Sequence, residues 1–63
     1  MDSILLVEDK AELREMLETA LRRMGYDVTA AANLQQALAA LERQPFSAVL
    51  TDLKLPQAPA WMS

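Results

Sequence analysis

Three carboxylates stand where two apolar runs end. Ile4-Leu5-Leu6-Val7 leads into Glu8 and Asp9, and Phe46-Ser47-Ala48-Val49-Leu50-Thr51 leads into Asp52-Leu53-Lys54-Leu55-Pro56. If the two runs are neighbouring parallel strands, the acids gather at one edge of a sheet. Such a cluster suits a hard divalent cation. Magnesium takes oxygen ligands octahedrally and keeps several waters, so two carboxylates, a loop carbonyl and a phosphate oxygen would suit it. An aspartate there can also act as a nucleophile and be phosphorylated to an acyl phosphate. A bound metal would offset the charge on the transferring phosphoryl group, which is most of what that reaction requires.

Each acid also has an ordinary structural reading. Asp9 can cap the helix that follows it, and Glu8 can be a solvated strand end. Asp52 can be a turn residue before Pro56. Lys10 and Lys54 flank the acids and can neutralise phosphate, or can simply be solvated loop residues. Side chains alternate along a strand, so Thr51 faces away from Asp52 and does not serve the same pocket.

Composition narrows the chemistry. The 63 residues contain no cysteine and no histidine. Disulfides, thiolate metal sites and imidazole bases or ligands are therefore excluded. The net charge is −3 with no basic patch, which argues against nucleic-acid binding. No charged leader precedes a long apolar stretch and no run approaches membrane-spanning length, so a cytoplasmic protein without membrane contact is expected. An apolar content of 52% with one glycine argues against disorder. At this length one domain is expected, over residues 1–56, followed by a tail over 57–63.

The elements that must position the acids follow from periodicity. Ile4–Val7 is a continuous aliphatic run, the pattern of a central strand covered on both faces. Leu13, Met16, Leu17, Ala20, Leu21 and Met24 form one stripe of an amphipathic helix. Asp9 and Glu12 have the spacing of a capping box, Glu18 and Arg22 that of an i,i+4 ion pair, and Gly25 suits a left-handed helix C-cap. Tyr26–Ala31 reads as a short strand. Asn33 with Gln36 marks a second helix start, Leu34, Ala37, Leu38 and Leu41 supply its stripe, and Pro45 closes it. Phe46–Thr51 is the third strand, and Pro56 and Pro59 make the rest a loop. The β-α-β-α-β alternation predicts a parallel sheet in the order 2-1-3, with helices on opposite faces. Ligands of such sheets sit at the carboxyl ends of the strands, where Glu8, Asp9 and Asp52 fall.

Taken together, Ile4-Leu5-Leu6-Val7-Glu8-Asp9, the Gly25-Tyr26 turn and Asp52-Leu53-Lys54-Leu55-Pro56 closely resemble the receiver domain of bacterial two-component response regulators. The likeness covers residues 3 to 56. It implies a truncated flavodoxin-like α/β fold, with Asp52 as the phosphoacceptor. It also implies a Mg2+ site made by Asp9 directly, Glu8 through water, Asp52, and the backbone carbonyl of Lys54. Receivers accept phosphate from a histidine kinase and pass a conformational change to an output domain or partner, and are not themselves enzymes. The family's fold continues through two more strands and three more helices, which carry a hydroxyl residue and a lysine that contact the phosphoryl group; these are not among the 63 residues. Gln57 stands where the family usually has glycine, and the Pro59-Ala60-Trp61 stretch matches nothing in the pattern.

With strand order 2-1-3 the third strand lies at an edge. Ala48-Val49-Leu50 is apolar on both faces and lacks the charges that protect natural edges. A homodimer through this strand is expected, with antiparallel pairing about an axis perpendicular to the sheet. Trp61 beside such an edge would be a natural interface anchor. Three functions are compatible with these features: a signalling phosphoacceptor with impaired activity, a non-catalytic interaction module that pairs with itself or a full-length receiver as a decoy, and an inactive truncation product.

Overall fold

The computed structural model describes residues 2–51. Five elements follow one another: β1 (Ser3–Val7), α1 (Ala11–Arg23), β2 (Asp27–Ala31), α2 (Leu34–Arg43) and β3 (Ala48–Thr51). The strands form one parallel sheet in the order β2-β1-β3, as the alternation predicts. Register sets Ile4 beside Val28 and Ala48, and Val7 beside Ala31 and Thr51.

β1 is the buried centre. Leu5, Leu6 and Val7 are almost wholly enclosed and Ile4 is buried with them, as a strand flanked on both sides should be. Leu5 and Val7 join Ala31 and Ala37 in a core cluster on the α2 side, with Ala40 and Phe46 packed against it. Ile4 and Leu6 point to the other face, the side of Val28, which α1 covers.

Local chemistry sets the helix ends. Gly25 has φ +97 and allows α1 to close with two turn hydrogen bonds: its own N–H to the Arg22 carbonyl at 3.0 Å and the Tyr26 N–H to the Leu21 carbonyl at 3.2 Å. This is the Schellman arrangement that glycine favours. α2 opens on Asn33, whose Oδ1 accepts the Gln36 N–H at 2.8 Å, while Gln36 Oε1 accepts the Ala32 N–H at 2.8 Å. The Glu18–Arg22 pair closes at 2.7 Å on the exposed side of α1.

Four expectations need correction. The Asp9–Glu12 capping box does not form: the N-cap residue of α1 is Lys10, with no side-chain cap hydrogen bond. The third strand begins at Ala48, because Phe46 packs into the core and the Ser47 N–H joins the sheet through the Ser3 carbonyl at 2.7 Å. In α1 the predicted stripe splits: Leu13, Leu17 and Leu21 are half-buried, whereas Met16 and Met24 are exposed. In α2 only Ala37 is buried, and Leu34, Leu38 and Leu41 are exposed.

The last two corrections share a cause. Among the described residues both helices contact β1 and β2, and neither contacts β3. β3 is therefore exposed along its whole length. Apolar flanks of the helices that point toward β3 have nothing to pack on. On the α1 face this leaves a hollow bounded by Ile4, Leu21, Met24, Tyr26, Ala48 and Leu50.

Candidate functional site at the carboxyl edge of the sheet

β1 ends at Val7, paired on one side with Ala31 and on the other with Thr51. Glu8 thus emerges between the ends of both neighbouring strands. Its N–H still donates to the Ala31 carbonyl, at 3.0 Å, so the backbone remains in register one residue beyond β1. The Glu8 side chain turns inward and is only 2% exposed, the one buried charged residue among those described.

Two contacts hold the turn after Glu8. Its Oε1 accepts the Lys10 N–H at 3.0 Å, and its carbonyl accepts from Arg14 Nη1 at 2.9 Å. Glu8 therefore satisfies a backbone donor at the entry to α1, the task expected of Asp9. Arg14, on the second turn of α1, clamps the loop from above. No sequence spacing pointed to Arg14, because a contact six residues apart between a loop and a helix depends on how α1 is set on the sheet.

The remaining oxygen of Glu8 decides the character of the site. Oε2 is buried and has no hydrogen-bond partner among the described residues. Buried polar atoms are nearly always paired, and an orphan in a native fold calls for a water or ion. Asp9 is exposed and is not committed to capping α1. Two adjacent carboxylates, one aimed inward with a vacant oxygen and one facing solvent, form a donor set suited to a hard cation. The residues present thus fit magnesium.

Of the other expected site residues, Asp52 and Lys54 lie outside the described residues. Among the described residues no three acidic side chains come together, and the third acid expected is Asp52. β3 delivers the chain to that position: Thr51 pairs with Val7, immediately before the acid pair. Lys10 is exposed beside the turn. No helix among the described residues is long and apolar enough to cross a membrane.

Comparison with known proteins agrees with this arrangement. The family model for the response regulator receiver domain matches residues 4–59. The chain is 44% identical over 52 residues to the response regulator protein PilR of Pseudomonas aeruginosa, covering 82% of this chain and 12% of that protein. It is 42% identical over 57 residues to the response regulator receiver protein CpdR of Brucella abortus, covering 90% of this chain and 48% of that one. A probable transcriptional regulator, ycf27, of Porphyridium aerugineum is 39% identical over 56 residues, or 89% of this chain and 23% of its own. The chain thus spans from about an eighth to about half of the length of these relatives.

Proposed function

The chain belongs to the response regulator receiver family, and from that premise we propose that it acts as a phosphoacceptor in phosphorelay signalling, with Asp52 as the residue modified. Glu8, Asp9, Asp52 and the backbone carbonyl of Lys54 would hold Mg2+. The observation that carries this reading is the buried, unpaired Oε2 of Glu8 at the end of β1. An anionic oxygen withdrawn from water without a partner is costly, and a cation in the adjacent acid turn removes that cost.

In the proposed reaction an Asp52 carboxylate oxygen attacks the phosphorus of a donor. The donor's P–N bond (in a phosphohistidine) or P–O bond (in an acyl phosphate) breaks, its electron pair stays with the leaving group, and an acyl phosphate forms on Asp52. The metal supplies charge neutralisation of the phosphoryl oxygens. The chain's own residues hold the geometry. The Glu8 N–H bond to Ala31 and the Arg14 bond to the Glu8 carbonyl fix the acid turn. The pairing of Thr51 with Val7 brings the nucleophile's strand alongside.

The family's role is signalling rather than turnover, and a histidine kinase in the cytoplasm is the proposed donor. Activity is expected to be weak, because the hydroxyl and lysine that contact the phosphoryl group in whole receivers are not in this sequence. Intact mass after incubation with magnesium and acetyl phosphate tests the proposal. A phosphate adduct absent from Asp52→Asn supports it; no adduct, or one that survives in Asp52→Asn, removes it.

A second reading rests on a different observation. β3 carries no helix on either face among the described residues, and Val49 and Leu50 are 50% and 43% exposed. That favours an interaction module that pairs through β3 with a second copy or with a full-length receiver.

A further inference from the structure

The largest run of exposed leucines lies on α2. Leu34, Leu38 and Leu41 are 51%, 52% and 45% exposed, and their spacing places them on one flank of the helix. The opposite flank is fixed by its neighbours: Ala40, Arg43 and Gln44 bound a hollow with Thr29 of the outer strand β2, and Gln44 Nε2 donates to Thr29 Oγ1 at 3.3 Å. A helix turns about 100° per residue, so with Ala37 facing the sheet the leucines lie on the side away from β2. That side faces β3. Val49 alternates with Ala48 and Leu50, shares the sheet face of Leu5 through their register, and is half exposed. Leu34, Leu38, Leu41 and Val49 therefore bound one apolar groove between α2 and β3.

A second copy paired through β3 would not fill this groove. In a sheet ordered 2-1-3-3′-1′-2′ the two α2 helices, each over β1 and β2, stand about four strand spacings apart, or roughly 19 Å. Packed helices approach to about 8–10 Å. The leucine flank would stay uncovered.

We propose that Trp61 of the same chain occupies the groove. β3 ends at Thr51, beside Val7 and Ala31, and α2 starts three residues after Ala31. The end of β3 and the start of α2 therefore lie at the same edge of the sheet, about two strand spacings or roughly 10 Å apart. Ten residues separate Thr51 from Trp61, a reach of up to about 33 Å, so the tether imposes no strain. Leu53 and Leu55 are held near the acid edge by their short connection to β3. Trp61 is the first large apolar side chain with enough chain behind it to lie over Val49. An indole buries about 150–250 Å², which matches a groove lined by four half-exposed aliphatic side chains. Docking ties the segment that carries Asp52 and Lys54 at both ends, and it does not depend on phosphorylation.

Trp61 is the only tryptophan, so its fluorescence reports on the groove directly. The expected emission of the full chain is blue-shifted from that of free N-acetyltryptophanamide, with reduced acrylamide quenching, and neither property changes on dilution. Leu38→Glu, and independently Val49→Thr, return both toward the free indole, while Met16→Glu on the exposed side of α1 leaves them unchanged. Far-UV circular dichroism identifies any variant that fails to fold, and the other then decides. Emission like that of free indole in the unmodified chain overturns the proposal. So does a blue shift that vanishes on dilution, which would put a second copy in the groove, or one that persists in both folded groove variants.

Discussion

Glu8 combines two roles that the sequence distributes between neighbouring acids. Its Oε1 closes the entry of α1 and its Oε2 is left buried and unpaired. A buried polar group without a partner costs about 1–3 kcal/mol, and cation binding recovers it. At a magnesium concentration ten times the dissociation constant, binding to the folded state alone adds about 1.4 kcal/mol. For a domain of this size that raises Tm by about 5–10 °C. Glu8→Gln keeps an acceptor for the Lys10 N–H but replaces the charge, so its expected magnesium shift is less than half as large. Thermal melts with and without magnesium measure both. Equal shifts in the two proteins would place the cation elsewhere or show that Glu8 does not sense it. The sequence makes both acids visible but not which one turns inward, because that choice depends on one step of strand pleat and on a clamp from Arg14. It places Asp9 at the cap because the residue types and spacing allow it; the structure gives that bond to Glu8 because its side chain is already enclosed.

At the scale of elements, local rules read well wherever one residue type had a single conformational task. Gly25 is such a case. With φ +97 and nothing within 4 Å of the place a β-carbon would take, the obstacle to a side chain there is conformational rather than steric. Gly25→Ala is expected to cost about 1–2 kcal/mol, lowering Tm by roughly 5–15 °C without altering the fold seen by circular dichroism. A variant as stable as the parent would show that α1 can end in another way. Asn33 and Gln36 likewise cap α2 as their spacing predicts. Burial was less legible than boundaries. Periodicity identifies the apolar side of a helix, but depth depends on what stands opposite. Leu13, Leu17 and Leu21 find β1 and β2, while Met24 and the α2 leucines point toward β3, over which no helix is described. Phe46 departs from expectation for a related reason: its β-forming character suits a strand, but its side chain is used by the core before the ladder begins.

For the whole molecule, strand order was legible because alternating strands and helices leave few ways to build a parallel sheet; the oligomeric state is where that order has consequences. A 63-residue chain buries a limited core, and here the core is one central strand and little else: Leu5, Leu6 and Val7 are its fully enclosed large side chains. β3 adds Val49 and Leu50 to the surface in place of the core. Antiparallel pairing of Ala48–Leu50 with a second copy would extend the sheet to six strands and shield that edge, since a two-fold axis perpendicular to the sheet aligns donors with acceptors. Because folding would then be coupled to association, Tm should rise with protein concentration. Light scattering should report a dimer that dissociates on dilution. Leu50→Lys places a charge on each paired strand, the device that natural edges use against pairing. It is expected to weaken the dimer at least about tenfold, equivalent to about 1.4 kcal/mol, and to flatten the dependence of Tm on concentration. Met16→Lys, on the exposed side of α1, controls for added charge and should change neither. A chain that stays monomeric at all concentrations, with Tm independent of concentration, would mean that the three-stranded sheet is stable with β3 at a free edge, and the proposal of pairing through β3 would be abandoned.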